Sequence, residues 1–223
     1  MSTNPASSLR VEVAEGADAL ARRAAEILRE DVQQAAGVGA EGPAAEALTV
    51  AIDVDPAVGA EAYRIADDGP RHIRIRGGDG RGALYGVGRF LRGCRFGEGR
   101  FDPPAWRGRS APAKRLRGIY FATHFGNWYH AAPPVDVRRY VRQLALWGCN
   151  SLSVWFDMHH FRGLDDPPAQ AMLERLRSTL AAANEVGMDA SLTTLANEAY
   201  ADSPPDLRAD WTAGHDGYTA EPR

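Results

Sequence analysis

"GGDGRGALYGVGRF", Gly77 to Phe90, decides how the first half of this 223-residue chain is read. It follows the alternating run "HIRIR" and opens a segment of helical periodicity in which Ala83, Leu84, Val87 and Leu91 share one face. Gly78, Gly80 and Ala83 also have the G-x-G-x-x-A spacing that cradles a dinucleotide pyrophosphate when a strand precedes it and a helix follows. That use needs a later strand with an acidic residue about twenty positions on. Asp102 stands near that distance, but Pro103 and Pro104 follow it and it ends no strand. Packing is the better reading: Gly77 and Gly78 turn the chain, Gly82 opens the helix, and Gly86 and Gly88 let the helix sit close to a sheet. Glycine inside a helix costs ~1 kcal/mol relative to alanine, so two of them need such a reason. A nucleotide-dependent oxidoreductase fails on the same context.

Working outward, "LRVEVA" is a strand and "ADALARRAAEILREDVQQAAG" a helix with Leu20, Ala24, Ile27, Leu28, Val32 and Ala35 on one face, ending near Gly37. Strands follow in "ALTVAIDV" from Ala47, "EAYRIAD" from Glu61 and "HIRIRG" from His72, the last two pairing as a hairpin through "DDGPR". The order predicts a small α+β sandwich domain over residues 1–97, with its helices on one side of the sheet. Residues 98–114, rich in Gly, Pro and Arg, read as a linker without regular elements. From residue 115 to 223 the rhythm changes. "LRGIYFATHF", "SLSVWFDMHHF" and "MDASLTTLANEAY" are strands, separated by the helices "VDVRRYVRQLALWG" and "AQAMLERLRSTLAAANEVG". In the first of these helices Val137, Tyr140, Val141 and Leu144 form the apolar face; Asp166 and Pro167 open the second. Strands bounded by such helices predict right-handed crossovers and a parallel sheet, so the fold class is α/β.

Composition excludes several functions. Hydrophobic residues at 44% and charged residues at 25% are ordinary for a globular chain, and the net charge of −3 does not steer it to nucleic acid. "RGRSAPAKRLRG", Arg107 to Gly118, is locally basic but lacks a helical stripe that would align its arginines against phosphates. The amino terminus has no signal-peptide pattern and no apolar run reaches the ~20 residues of a membrane span, so a cytoplasmic location and no membrane partner are expected. Cys94 and Cys149 stand alone and read as small buried side chains.

"YRIADDGPRHIRIRGGDGRGALYGVGRFL" resembles the end of the small non-catalytic domain that precedes the barrel in several glycoside hydrolases, including bacterial beta-N-acetylhexosaminidases and alpha-glucuronidases. Gly78, Gly82, Tyr85 and Gly86 match its G-x-x-x-G-x-x-Y-G stretch. "LRGIYFATHFGNWY" is similar to the first barrel strand of those enzymes, with Arg117 and Gly118 just before the apolar run. The resemblance implies a carbohydrate-active hydrolase of O-glycosyl bonds whose (β/α)8 TIM barrel is incomplete here. A full barrel takes ~250 residues and three strands are visible, so the chain reads as an N-terminal fragment, inactive alone.

Polar residues gather at the carboxyl ends of the three strands, where parallel α/β folds place their sites. They are His124, Asn127, Trp128 and Tyr129; then Asp157, His159 and His160; then Asn197 and Glu198. A sugar pocket needs flat aromatic surface plus planar groups that donate and accept hydrogen bonds, so His124, Asn127, Trp128, Tyr129, His159, His160 and Asn197 are candidate sugar contacts. Asp157 and Glu198 are the candidate catalytic carboxyls, and "ANE" is similar to the Asn-Glu acid/base motif of many barrel glycosidases. That motif normally follows the fourth strand, which implies a main catalytic pair beyond Arg223. The bland alternatives are backbone capping by His124, a barrel-mouth lid in Trp128, an Asp157 that merely neutralises a histidine, and a solvated Glu198. His124, His159 and His160 also raise a metal-dependent barrel hydrolase as an alternative. Amidohydrolase barrels, however, carry His-x-His on the first strand, whereas "ATHFGN" has one histidine, and neighbours within a strand face opposite ways. No metal or other cofactor is expected, and the partner is an oligosaccharide or glycoside. The remaining alternative is a non-catalytic carbohydrate-binding or interaction module.

Overall fold

Alternating apolar residues in the first strands place one face of a sheet against two helices in the computed structural model, which describes residues 5–40, 46–122, 127–194 and 198–207. The chain divides into two compact units, the first formed by residues 1–117, 142–150 and 185–188, the second by 118–141, 151–184 and 189–223.

In the first unit, β1 (Ser8–Val13), β2 (Ala47–Val54), β3 (Tyr63–Asp67), β4 (His72–Gly77) and β7 (Gly108–Ser110) form a five-stranded sheet in the order β1-β2-β4-β3-β7. β1, β2 and β4 run parallel; β3 is antiparallel to both β4 and β7. The register aligns Leu9 with Leu48, Val11 with Val50 and Ile73, and Ile52 with Ile75 and Ile65, so all eight buried side chains line one face. Against it lie α1 (Ala19–Ala36) and α2 (Gly80–Gly93), which also pack on each other. Ile27, Leu28, Leu84, Val87 and Phe90 complete this core. Asp18 caps α1 through the amide of Ala21, and Gly37, at φ 68°, ends it in the left-handed conformation that glycine adopts freely.

The stretch 98–114 is not devoid of regular structure. β5 (Arg95–Gly97) and β6 (Arg100–Asp102) form a hairpin, and β7 extends the main sheet. Three residues containing glycine and arginine carry too little alternation to be read as a strand; pairing with β3 makes them one. Arg107 and Arg109 in this stretch give their guanidinium groups to Asp67 and to the carbonyl of Val58. Cys94 and Cys149 are half-buried rather than fully buried, and burial pushes the Cys94 thiol up to about 12.

In the second unit β8 (Gly118–Phe121), β9 (Ser151–Trp155) and β10 (Asp189–Thr193) form a parallel sheet in the order β10-β9-β8. The connections contain α3 (Trp128–Ala131) and α4 (Pro134–Leu146), then α5 (Pro167–Glu185). This is a partial, unclosed β/α barrel-like arrangement: among the described residues, β8 and β10 each pair on one side only. Phe121, Leu152 and Val154 are buried on one face. The first strand begins at Gly118, leaving Leu116 exposed, and Tyr140 is exposed on α4 beside buried Val137 and Val141, while Leu144 is half-buried.

Candidate functional site

The glycine loop is built for packing. A Cβ on Gly78 would lie 1.7 Å from the carbonyl oxygen of Gly59, and one on Gly82 would lie 2.1 Å from that of Ala62. On Gly86 it would meet Ile75 of the sheet at 2.5 Å, whereas on Gly88 it would meet the carbonyl of Leu146, so Gly88 admits backbone rather than the sheet. Asp79 caps α2, its Oδ1 accepting the Gly82 amide at 2.7 Å and its Oδ2 the Glu61 amide at 2.8 Å. A carboxylate therefore stands where a nucleotide phosphate would have to bind, and like charges exclude each other there.

Glu61 anchors a polar cluster in the same unit. Its carboxylate accepts from Arg81 at 3.0 Å, from Arg117 and from Asn150 at 3.2 Å. Burial pushes this carboxyl up, but the bonds from Arg117, Arg81 and Asn150 outweigh it and hold Glu61 below its ordinary value. Tyr85, whose ring lies under Arg117, is pushed up to about 12 by burial and by the Glu61 charge.

The carboxyl ends of β9 and β10 carry the candidate site. After Trp155 the chain leaves the strand and turns through a 3-10 segment, Met158–His160, braced by the stacked rings of Phe156 and Phe161 at 5.2 Å. His159 and His160 therefore do not alternate across a strand; their rings lie 4.3 Å apart. The segment after β10 is tied to this turn by the Ala201 amide on the Phe161 carbonyl at 2.9 Å and by Arg162 on Asp202 at 2.9 Å. That tie delivers Glu198, whose Oε1 receives Nδ1 of His159. Asp157 is 4% exposed and accepts the indole N–H of Trp155. One donor atom from each of Asp157, His159 and Glu198 lies within 4.8 Å of the other two.

The site also includes two aromatic residues absent from the sequence-predicted set. Tyr120 and Trp155 meet edge to face with centroids 5.9 Å apart, and Tyr120 is 47% exposed. They share the sheet face opposite Phe121 and Val154, together with Ser153 and Thr193, whose hydroxyls bond at 2.8 Å. Burial and the neighbouring Asp157 charge raise the Tyr120 phenol above its ordinary value. The available signal was the period of two: Tyr120 and Trp155 fall on the polar, not the apolar, register of their strands.

The remaining expected contacts separate into different surroundings. Tyr129 stacks on Phe121 at 4.1 Å and gives its hydroxyl proton to the Ala122 carbonyl, while Asn127 also donates to that carbonyl at 2.7 Å. Both therefore brace the end of β8. Trp128 is 52% exposed, edge-on to Tyr140 at 5.6 Å. His124 and Asn197 lie outside the described residues. No described helix is long and apolar enough to cross a membrane.

Residues 4–92 match the sequence model of glycosyl hydrolase family 20, domain 2, which affiliates this N-terminal portion with that family. No curated protein matches the chain. Among solved structures it is similar to an inactive mutant of the family 20 exo-beta-N-acetylglucosaminidase of Vibrio harveyi, at 15% identity and a TM-score of 0.61, over 86% of this chain and 34% of that one. A mutant Streptomyces plicatus beta-hexosaminidase, solved with N-acetylglucosamine as product, gives 14% identity and a TM-score of 0.61, over 90% and 45%. A family 138 enzyme targeting the pectin rhamnogalacturonan II gives 14% and 0.57, over 84% and 31%. These likenesses establish the fold, and the chain spans between about a third and under half of the structures it matches.

Proposed function

We propose, from the affiliation of residues 4–92 with glycosyl hydrolase family 20, that this chain supplies the front part of a carbohydrate-active hydrolase of O-glycosyl bonds. The observation that carries the reading is the Tyr120–Trp155 aromatic pair beside the buried Asp157 carboxylate. A pyranose has an apolar face ringed by hydroxyls, so an exposed ring for the face and a carboxylate for the hydroxyls are what its recognition requires. Asp157 and Glu198 are the candidate catalytic carboxyls. One oxygen of each lies within 4.8 Å of the other. In the complete reaction an acid protonates the leaving oxygen while a carboxylate, water or the substrate's own acetamido group attacks the anomeric carbon. His159 positions Glu198, and Trp128 offers a second exposed ring for a neighbouring sugar unit.

The test is saturation-transfer NMR of the chain with N-acetylglucosamine, the sugar held by the Streptomyces plicatus structure, and with uronic acids and deoxy sugars, followed by turnover assays on aryl glycosides. Saturable binding of one sugar class is expected, and absence of binding to all of them would contradict the reading. Binding without turnover would favour a non-catalytic carbohydrate-binding module.

A further inference from the structure

Glu198 places one carboxylate oxygen on His159 and leaves the other, Oε2, buried without a hydrogen-bond partner. The side chain is only 5% exposed. An unsatisfied buried polar atom costs about 1–3 kcal/mol, and more on a charged group, so a native site that keeps one calls for a ligand. Asp157 brings a second buried carboxylate to the same place and His159 an imidazole nitrogen. Two carboxylates this close repel, and a cation between them relieves that repulsion.

We infer that Asp157, His159 and Glu198 form a binding site for one divalent first-row metal ion, of which Zn2+ and Mn2+ match the donors best. Carboxylate oxygen and neutral imidazole nitrogen are the ligands such ions take at ~2.0–2.2 Å. Donors around one ion at that distance stand about 3–4 Å apart; the trio already lies within 4.8 Å, and the hydrogen-bonded His159–Glu198 pair opens to admit the ion. The ion enters between His159 and Glu198: the Nδ1 proton is released to solvent, with the neutral imidazole keeping its N–H at Nε2, the Nδ1 lone pair turns to the metal, and the orphaned oxygen of Glu198 gains a partner. Three protein donors leave a further position open to water or a sugar hydroxyl.

The backbone fits this role. Asp157 and His159 sit on a turn braced by Phe156 and Phe161, and Glu198 arrives on a segment bonded to that same turn. The inference stands on donor geometry and not on the hydrolase reading. With the ion bound, Asp157 and Glu198 are ligands rather than the proton donor and nucleophile of glycoside cleavage.

The test uses the full chain, stripped with chelator and titrated with Co2+, whose visible bands report a protein-bound ion of low coordination number, and with Zn2+ by calorimetry. One ion per chain is expected, with a Kd below about 10 μM. Glu198→Gln and His159→Ala each weaken it by at least roughly tenfold, while His130→Ala, outside the trio, leaves it unchanged. His159 is 48% exposed, so His159→Ala keeps the test decisive should Glu198→Gln fail to fold. Absence of binding at about 1 mM metal, or equal affinity in wild type and His159→Ala, overturns the inference. Sugar binding measured in chelator fails or survives independently, which separates the two claims.

Discussion

His159 and Glu198 meet across the carboxyl ends of two neighbouring parallel strands, the ring nitrogen Nδ1 on the carboxylate Oε1, although 39 positions separate them in the chain. Neither stands on a strand. Each is held by a loop, and the bonds from residues 201–202 back to 161–162 fix one loop against the other. A site assembled this way can be perturbed from its supports as well as from its own side chains, and the predictions below separate the two.

Tyr129 is a support. Its hydroxyl gives a proton to the Ala122 carbonyl and accepts from Asn127 at 3.0 Å. Tyr129→Phe is expected to cost about 1 kcal/mol of stability in urea unfolding while sugar affinity stays unchanged. A loss of affinity without loss of stability would return Tyr129 to the sugar.

Trp155 touches the sugar in the proposed function. Trp155→Phe keeps a ring beside Tyr120 but removes the indole N–H that Asp157 accepts. A drop in sugar affinity of roughly tenfold, about 1.4 kcal/mol, is expected by calorimetry. Unchanged affinity would remove the aromatic pair from the site.

Glycine at position 82 has no substitute. A Cβ there meets the backbone carbonyl of Ala62 at 2.1 Å, and a backbone neighbour cannot swing away as a side-chain tip can. Gly82→Ala is expected to destabilise by about 1–3 kcal/mol, read as a lower thermal midpoint. Wild-type stability in the variant would contradict the packing role of the loop.

Glu61 makes stability depend on pH. Its folded carboxyl titrates below the ordinary ~4.3 of an unfolded chain, so its contribution is complete above that value and fades as pH falls through the lower folded one. Glu61→Gln is expected to cost about 1–3 kcal/mol at pH 7 and progressively less below pH ~4. Urea titrations of both proteins at neutral and acid pH measure the gap; a gap that is constant with pH would contradict the ion network.

Much of this fold is legible in the residues, for physical reasons that also explain the misses. β4 occupies the stretch that alternation marks, His72–Gly77, because one face is buried and the other is not; β2, Ala47–Val54, alternates likewise except that Ala51 is buried on the second face. β7 is invisible in sequence because an edge strand of three residues owes its form to its partner β3. α3, four residues long, has too few turns to show a period. At the site, Asp157 and His159 are readable as strand-end polar residues, but the bond from His159 to Glu198 depends on loop closure that no local pattern encodes. Tyr120 and Trp155 looked like strand interior because aromatic residues suit both faces of a sheet; register, not residue type, distinguishes them.

The most direct test of the account is the sugar affinity of Asp157→Asn. The substitution keeps size and shape, retains an oxygen for the Trp155 indole, removes the charge and turns the second oxygen into an amide donor. With the best-bound sugar from the NMR screen, calorimetry in chelator is expected to show at least a roughly tenfold weaker Kd with the thermal midpoint preserved. Wild-type affinity in the variant would place the sugar elsewhere and contradict a carbohydrate site at the ends of β9 and β10.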